Sequence, residues 1–181
     1  MVANHNSHAD GVTLMTSVPV DRLAITYPVA AEDYFGKSKL SAFLSWFLIN
    51  LLLIPRKRDE KNPKRDPIFI LDSYLKNGKS LIFFPEGSRG KAGKIQVFKK
   101  GLGHLMKENM NIPIIPVYLE GIGRVLPKGN KIMLPGITKI YFGNPIFLEN
   151  ESVEEIVEKA ENAVHDLKNR CDNNNSSNLR E

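Results

Sequence analysis

One cysteine, Cys171, stands among the 181 residues, so no disulfide can close within the chain and a reducing, cytoplasmic setting is the expected one. No apolar run reaches the about 20 residues that a membrane-spanning helix needs. The longest, Ala42 to Ile54, is interrupted by Ser45 and Asn50 and is expected to be a buried helix running into a buried strand. No apolar segment follows a basic one at the start, so no export signal is expected. Aromatic residues are sparse, at 8%, and do not alternate with the basic run Arg56-Lys57-Arg58, Lys61, Lys64 and Arg65. That disfavours a platform on which nucleic-acid bases stack, and no nucleic-acid partner is expected. A nucleotide P-loop is missing: reading back from Gly93-Lys94, its first glycine would fall on Ser88, and Ile95 replaces the required Ser or Thr. A binuclear metal pattern, His-x-His-x-Asp-His, would need histidines at Asn6 and Gly11, so no metal is expected.

What is present is a chain with 42% apolar residues, enough for one domain with a proper core, expected over residues 1–170. A polar tail over residues 171–181, rich in Asn and Ser, is expected to stay disordered. A net charge of +5 and a pI near 9.3 favour an anionic partner: nucleic acid, an acidic membrane surface or a phosphorylated small molecule. The basic run from Arg56 is either a membrane-facing patch or an ordinary solvated loop.

Helices and strands alternate. Asp66-Pro67 reads as an N-cap followed by proline at the first helical position, Ile68, Leu71 and Leu75 share a face, and Gly78 ends the helix. Ser80 to Phe84 and Ile112 to Tyr118 read as buried strands. A helix from Phe98 to Asn109 lies between them, a crossover arrangement that implies parallel pairing. Thr138 to Phe142 is a later strand. Ser152-Val153-Glu154-Glu155 is a capping box for a helix to about Arg170, with Glu155 and Lys159 paired one turn apart. The expected class is α/β, with a mostly parallel sheet flanked by helices.

Two polar clusters carry the chemistry. In Asn4-His5-Asn6-Ser7-His8-Ala9-Asp10, His5 and Asp10 are five residues apart and meet only across a turn. Asp10 would then fix the imidazole tautomer and leave the other ring nitrogen to take a proton from a hydroxyl. The same residues also read as a capping box, Ser7 with Asp10, which leaves His5 merely exposed. In Phe84-Pro85-Glu86-Gly87-Ser88-Arg89 a turn follows a strand and presents a planar guanidinium suited to phosphate. Its plainer reading is a surface turn with a local Glu86–Arg89 ion pair.

In order and spacing the chain resembles the glycerolipid acyltransferase family related to lysophosphatidate acyltransferase. His5 and Asp10 match its His-x4-Asp motif. Asn50 to Arg56 matches the second motif loosely, with Asn50 in place of glycine and Leu52 in place of isoleucine or phenylalanine. Phe84 to Gly90 matches the third, with Ser88 where threonine is commoner and Gly90 where serine is. Ile112 to Val117 matches the fourth; Phe98-Lys99-Lys100-Gly101 resembles a family linker, and Tyr141 to Ile146 its closing strand. The likeness runs from Asn4 to Leu167. It departs at the start, where only Met1, Val2 and Ala3 precede Asn4 and a central strand is expected to be nearly missing.

The resemblance implies transfer of a fatty acyl group from a thioester, on coenzyme A or acyl carrier protein, to a hydroxyl of a lysophospholipid, first of all 1-acylglycerol 3-phosphate, in phospholipid biosynthesis. No further cofactor is implied. His5 would be the base and Asp10 its orienter; Arg56, Glu86, Gly87 and Arg89 would hold the acceptor's phosphate end, and Pro116 would shape the site or the acyl-donor groove. His8, His104 and His165 match no catalytic position. The implied location is cytoplasmic, peripherally on a membrane surface. The alternative is a shortened, non-catalytic domain that binds lipid headgroups or a partner chain.

Overall fold

The computed structural model describes residues 1–35, 50–57, 62–125 and 134–177. In chain order its elements are β1 (Val2–Ala3), α1 (Asp10–Met15), α2 (Val20–Leu23), β2 (Thr26–Ala31), α3 (Glu32–Phe35) and β3 (Leu52–Ile54). A 3-10 turn (Pro63–Arg65), α4 (Pro67–Lys76), β4 (Ser80–Ile82), α5 (Gly101–Lys107), β5 (Pro116–Glu120), α6 (Ile122–Val125), β6 (Lys139–Phe142) and α7 (Val153–Ser177) follow. Most of the apolar stretch from Ala42, together with Arg58 and Lys61, lies outside the described residues. The contacts divide the chain into two compact units, Met1–Asp10 with Phe84–Glu181, and Gly11–Phe83, a division that no linker composition announces.

The first unit is built on the sheet β1-β5-β6. β1 runs parallel to β5, with Val2 opposite Pro116 and Ala3 opposite Val117. β5 runs antiparallel to β6, from Val117 opposite Phe142 to Glu120 opposite Lys139. The last of these is an opposite-charge cross-strand pair, 3.7 Å apart. Over the sheet lies α7, whose Ile156, Ala160, Val164, Leu167 and Cys171 recur every three or four residues and are all buried. α5 packs on α7 and buries Leu102, Leu105 and Met106, and it begins at Gly101 rather than Phe98.

The capping box forms as read: Ser152 N–H donates to Glu155 Oε2 at 2.7 Å, and Glu155 N–H to Ser152 Oγ at 3.3 Å. With Glu155 turned back to the cap, Lys159 pairs with Glu151 instead. Nor does the helix stop near Arg170. Cys171 continues the buried stripe one turn beyond Leu167, and Lys168 pairs with Asp172 four residues on, so the helix carries through the Asn-rich segment to Ser177.

The second unit is built on the sheet β3-β2-β4, parallel throughout. β2 is its middle strand, although Pro28, which can donate no ladder hydrogen bond, stands within it opposite Ile82. α4 packs on β4 through the buried Leu71 and Leu75. Its start is the expected one: the Asp66 side chain accepts from Ile68 N–H at 2.8 Å with Pro67 first in the helix. Gly78 follows its end in the left-handed region at φ 70°. The direct pairing implied for Ser80–Phe84 with Ile112–Tyr118 does not form, since β4 takes β2 and β5 takes β1 as parallel neighbour. Three of the four named pairings are nonetheless parallel, as an α/β class requires.

Candidate active site

The first unit gathers both polar clusters. Asn4 is buried, and its side chain behaves like a strand partner, with Oδ1 accepting from Leu119 N–H at 2.7 Å and Nδ2 donating to the Leu119 carbonyl at 3.1 Å. Asn6 Nδ2 donates to the carbonyls of Lys91 and Lys94 at 2.7 and 2.9 Å. Between these two anchors the backbone turns and offers its N–H groups to one acceptor. Asp10 Oδ2 takes Asn6 N–H at 2.7 Å, Ser7 N–H at 2.8 Å and His5 Nδ1 at 2.8 Å. The capping and tautomer-fixing readings of Asp10 are therefore the same carboxylate at work, organising the turn and orienting the ring.

With Nδ1 on Asp10, Nε2 is the nitrogen left for chemistry. The ring stacks on Phe84 at 4.4 Å between centroids and 21° between planes, and its side chain keeps 22% of its surface open. Asp10 is wholly buried, and among the described residues its Oδ1 has no hydrogen-bond partner.

The second cluster meets the first through its backbone. Glu86 is buried; Oε1 accepts from His5 N–H at 2.9 Å and Oε2 from Gln96 Nε2 at 2.9 Å. Burial pushes the Glu86 carboxyl above its ordinary value, and the donors from Gln96 and His5 offset part of that rise. With one hydrogen bond on each oxygen, Glu86 braces the backbone of the turn.

Gly90 N–H donates to the His5 carbonyl at 2.8 Å, so His5 is held from both sides. Gly87 is exposed and left-handed, at φ 69°. A Cβ there would come within 2.8 Å of Lys99 Nζ, so the Lys99 side chain lies across the turn. Arg89 is half-buried; desolvation lowers its pKa, and the negative charge of Asp10 opposes that. A guanidinium remains charged under such a shift, so the turn presents two cations, Arg89 and Lys99, beside an accessible imidazole.

Pro116 is buried at the start of β5, where its carbonyl accepts from Gly143 N–H at 2.9 Å. Its place is in the sheet frame. Arg56 belongs to the second unit, where its Nε donates to both Asp33 oxygens at 2.9 and 2.6 Å. His104 and His165 stand on α5 and α7. Burial raises the Cys171 thiol above its ordinary value, which keeps it protonated and unlike a nucleophile. Among the described residues no three His, Cys, Asp or Glu side chains gather as a metal site would require. Nor is any described helix long and apolar enough to cross a membrane.

Gln96 and Lys99 are the residues that motif reading missed. Lys99 had a signal, the Phe98-Lys99-Lys100-Gly101 linker. Gln96 had none, because its partners lie eight and ten residues away across a turn.

Residues 1–120 match the family model described as Acyltransferase. A chloroplastic 1-acyl-sn-glycerol-3-phosphate acyltransferase of Brassica napus is 28% identical over 151 residues, 81% of this chain and 40% of that protein. The 1-acyl-sn-glycerol-3-phosphate acyltransferase alpha of Mus musculus is 26% identical over 172 residues, 92% of this chain and 56% of its own. The chain thus spans about half or less of these relatives' length. The crystal structure of the 1-acyl-sn-glycerophosphate (LPA) acyltransferase PlsC from Thermotoga maritima has the same fold. Its TM-score is 0.64 at 24% identity, covering 93% of this chain and 64% of that one. With the family model spanning most of the chain and both polar clusters within it, this protein belongs to the acyltransferase family.

Proposed function

We propose that the protein is an O-acyltransferase that moves a fatty acyl group from a thioester, on coenzyme A or acyl carrier protein, to the free hydroxyl of a 1-acylglycerol 3-phosphate. The observation that carries this reading is the 2.8 Å bond from Asp10 Oδ2 to His5 Nδ1 on a ring that remains accessible. His5 Nε2 takes the proton of the acceptor hydroxyl as its oxygen attacks the thioester carbonyl carbon. The tetrahedral intermediate collapses with cleavage of the C–S bond, and the departing thiolate recovers the proton from the imidazolium. No protein nucleophile is needed, because the thioester is already activated. Asp10 holds the ring and stabilises its charged form. Arg89 and Lys99 draw the acceptor's phosphate to the Glu86–Arg89 turn, and Gly87 lets the backbone approach it. The role of Arg56 rests on resemblance alone. The acceptor is an amphiphile, so the enzyme works peripherally at a membrane surface.

Acyl transfer from labelled acyl-coenzyme A or acyl carrier protein to lysophosphatidate in detergent tests this. His5→Ala is expected to lower kcat by about 10²- to 10⁴-fold with an unchanged circular-dichroism spectrum. Arg89→Ala is expected chiefly to raise KM for the phosphorylated acceptor. An active His5→Ala protein would remove His5 as the base. Absence of transfer by folded wild-type protein that still binds lysophosphatidate would leave headgroup binding without catalysis.

A further inference from the structure

Gln96 lies outside every motif, yet its side-chain amide reaches two parts of the site at once. Nε2 donates to Glu86 Oε2 at 2.9 Å and to the Ser88 carbonyl at 2.7 Å. The other Glu86 oxygen accepts from His5 N–H at 2.9 Å, and the His5 carbonyl accepts from Gly90 N–H at 2.8 Å. One turn therefore clamps the backbone of His5 on both sides, and one amide ties that turn across its middle. Gly90 leaves the amide its room: a Cβ there would stand 3.0 Å from Gln96 Nε2 and 3.2 Å from its Cδ. Glu86 is buried, so little solvent is at hand to replace a lost donor.

We propose that Gln96 is a positioning residue for acyl transfer, fixing His5 and the Arg89 turn relative to one another through Glu86 and Ser88. This rests on the reading of His5 as the base. It separates two jobs that motif reading merges: Arg89 and Lys99 touch the acceptor, whereas Glu86 and Gln96 set where the base and those cations stand. A catalytic group misplaced by about 1 Å can cost on the order of 10²-fold in rate.

Three proteins test it: wild type, Gln96→Glu, and Gln96→Glu combined with Glu86→Gln. The single change sets two carboxyl groups against each other and is expected to lower kcat at least about tenfold while also raising acceptor KM. In the double change the new amide at position 86 keeps an oxygen for His5 N–H and gives a donor to position 96. The donor to the Ser88 carbonyl stays missing, so part of the lost kcat is expected to return. The His5 backbone amide resonance, read on the same proteins without acyl donor, should shift in the single variant and move back in the double. Unchanged kcat and KM in folded Gln96→Glu, beside an active wild type, would overturn the proposal. Inactive wild type would count against the acyltransfer reading, and the proposal would then stand or fall on the His5 resonance, an unmoved one overturning it. Should Gln96→Glu fail to fold, Gly90→Ala presses on the same amide without removing a polar group. It is expected to lower kcat severalfold and shift the resonance, and no change in either would overturn the proposal.

Discussion

Glu86 is where a single side chain sets a pH dependence. Its carboxyl is raised above the ordinary value of 4.5, first by burial, with hydrogen bonds from Gln96 and His5 opposing. A raised folded-state pKa means that the folded chain holds the proton more tightly than the unfolded one. The contribution of Glu86 to stability is therefore fullest below the ordinary carboxylate pKa and is lost as the pH rises through the raised value. Glu86→Gln removes that titration, so the loss of urea stability as the pH rises above the ordinary carboxylate value should be smaller than in wild type. An equal loss in both proteins would assign the dependence to other groups. The contact of His5 with Asp10 was legible because the polar run between them permits the turn that brings the two side chains together. Which of two roles Asp10 plays was not legible, because a carboxylate with several lone pairs can accept from a backbone and an imidazole together. Gln96 was invisible, since nothing local distinguishes a glutamine that bridges a turn from one that faces water.

Among the elements, β3 shows why a departure from a motif need not disturb it. Asn50, which precedes the strand where the family pattern has glycine, sits at φ 51° and donates through Nδ2 to the Leu23 carbonyl at 2.9 Å. The position demands a left-handed backbone, which glycine takes freely and asparagine tolerates better than other side chains. Asn50→Gly should stay within a few tenths of a kcal/mol of wild type, whereas Asn50→Ala should cost about 1 kcal/mol or more in denaturant unfolding. Equal stabilities would mean that the turn relaxes. Helix starts were the most readable features, because Asp66-Pro67 and Ser152 to Glu155 state their hydrogen bonds locally. Strands were less so. β2 was hidden by Pro28, and β5 lies later than its apolar run because ladder pairing starts only at Pro116 with β1 and at Val117 with β6. The end of α7 was misjudged because burial of Cys171 outweighs the low helix propensity of the asparagines around it.

For the whole molecule, the excess of 25 Lys and Arg over 20 Asp and Glu gives a sign to surface binding. Binding to vesicles containing phosphatidate or phosphatidylserine should exceed binding to phosphatidylcholine and weaken as salt rises, with a Debye length of about 8 Å at physiological ionic strength. Salt-insensitive binding to neutral vesicles would point to an apolar attachment instead. The α/β class and the mostly parallel pairing were readable from alternation alone; the division into two units was not, because it depends on contacts between segments far apart in the chain. That separation bears on how the protein comes into being. Asn4 finds its partner in Leu119, 115 residues further on. At about 5 to 20 residues per second, the His5 segment is synthesised roughly 6 to 23 seconds before the strand that seats it. A message cut short before Leu119 would therefore yield a polypeptide in which Asn4 lacks that partner and the His5 turn loses one of its two anchors.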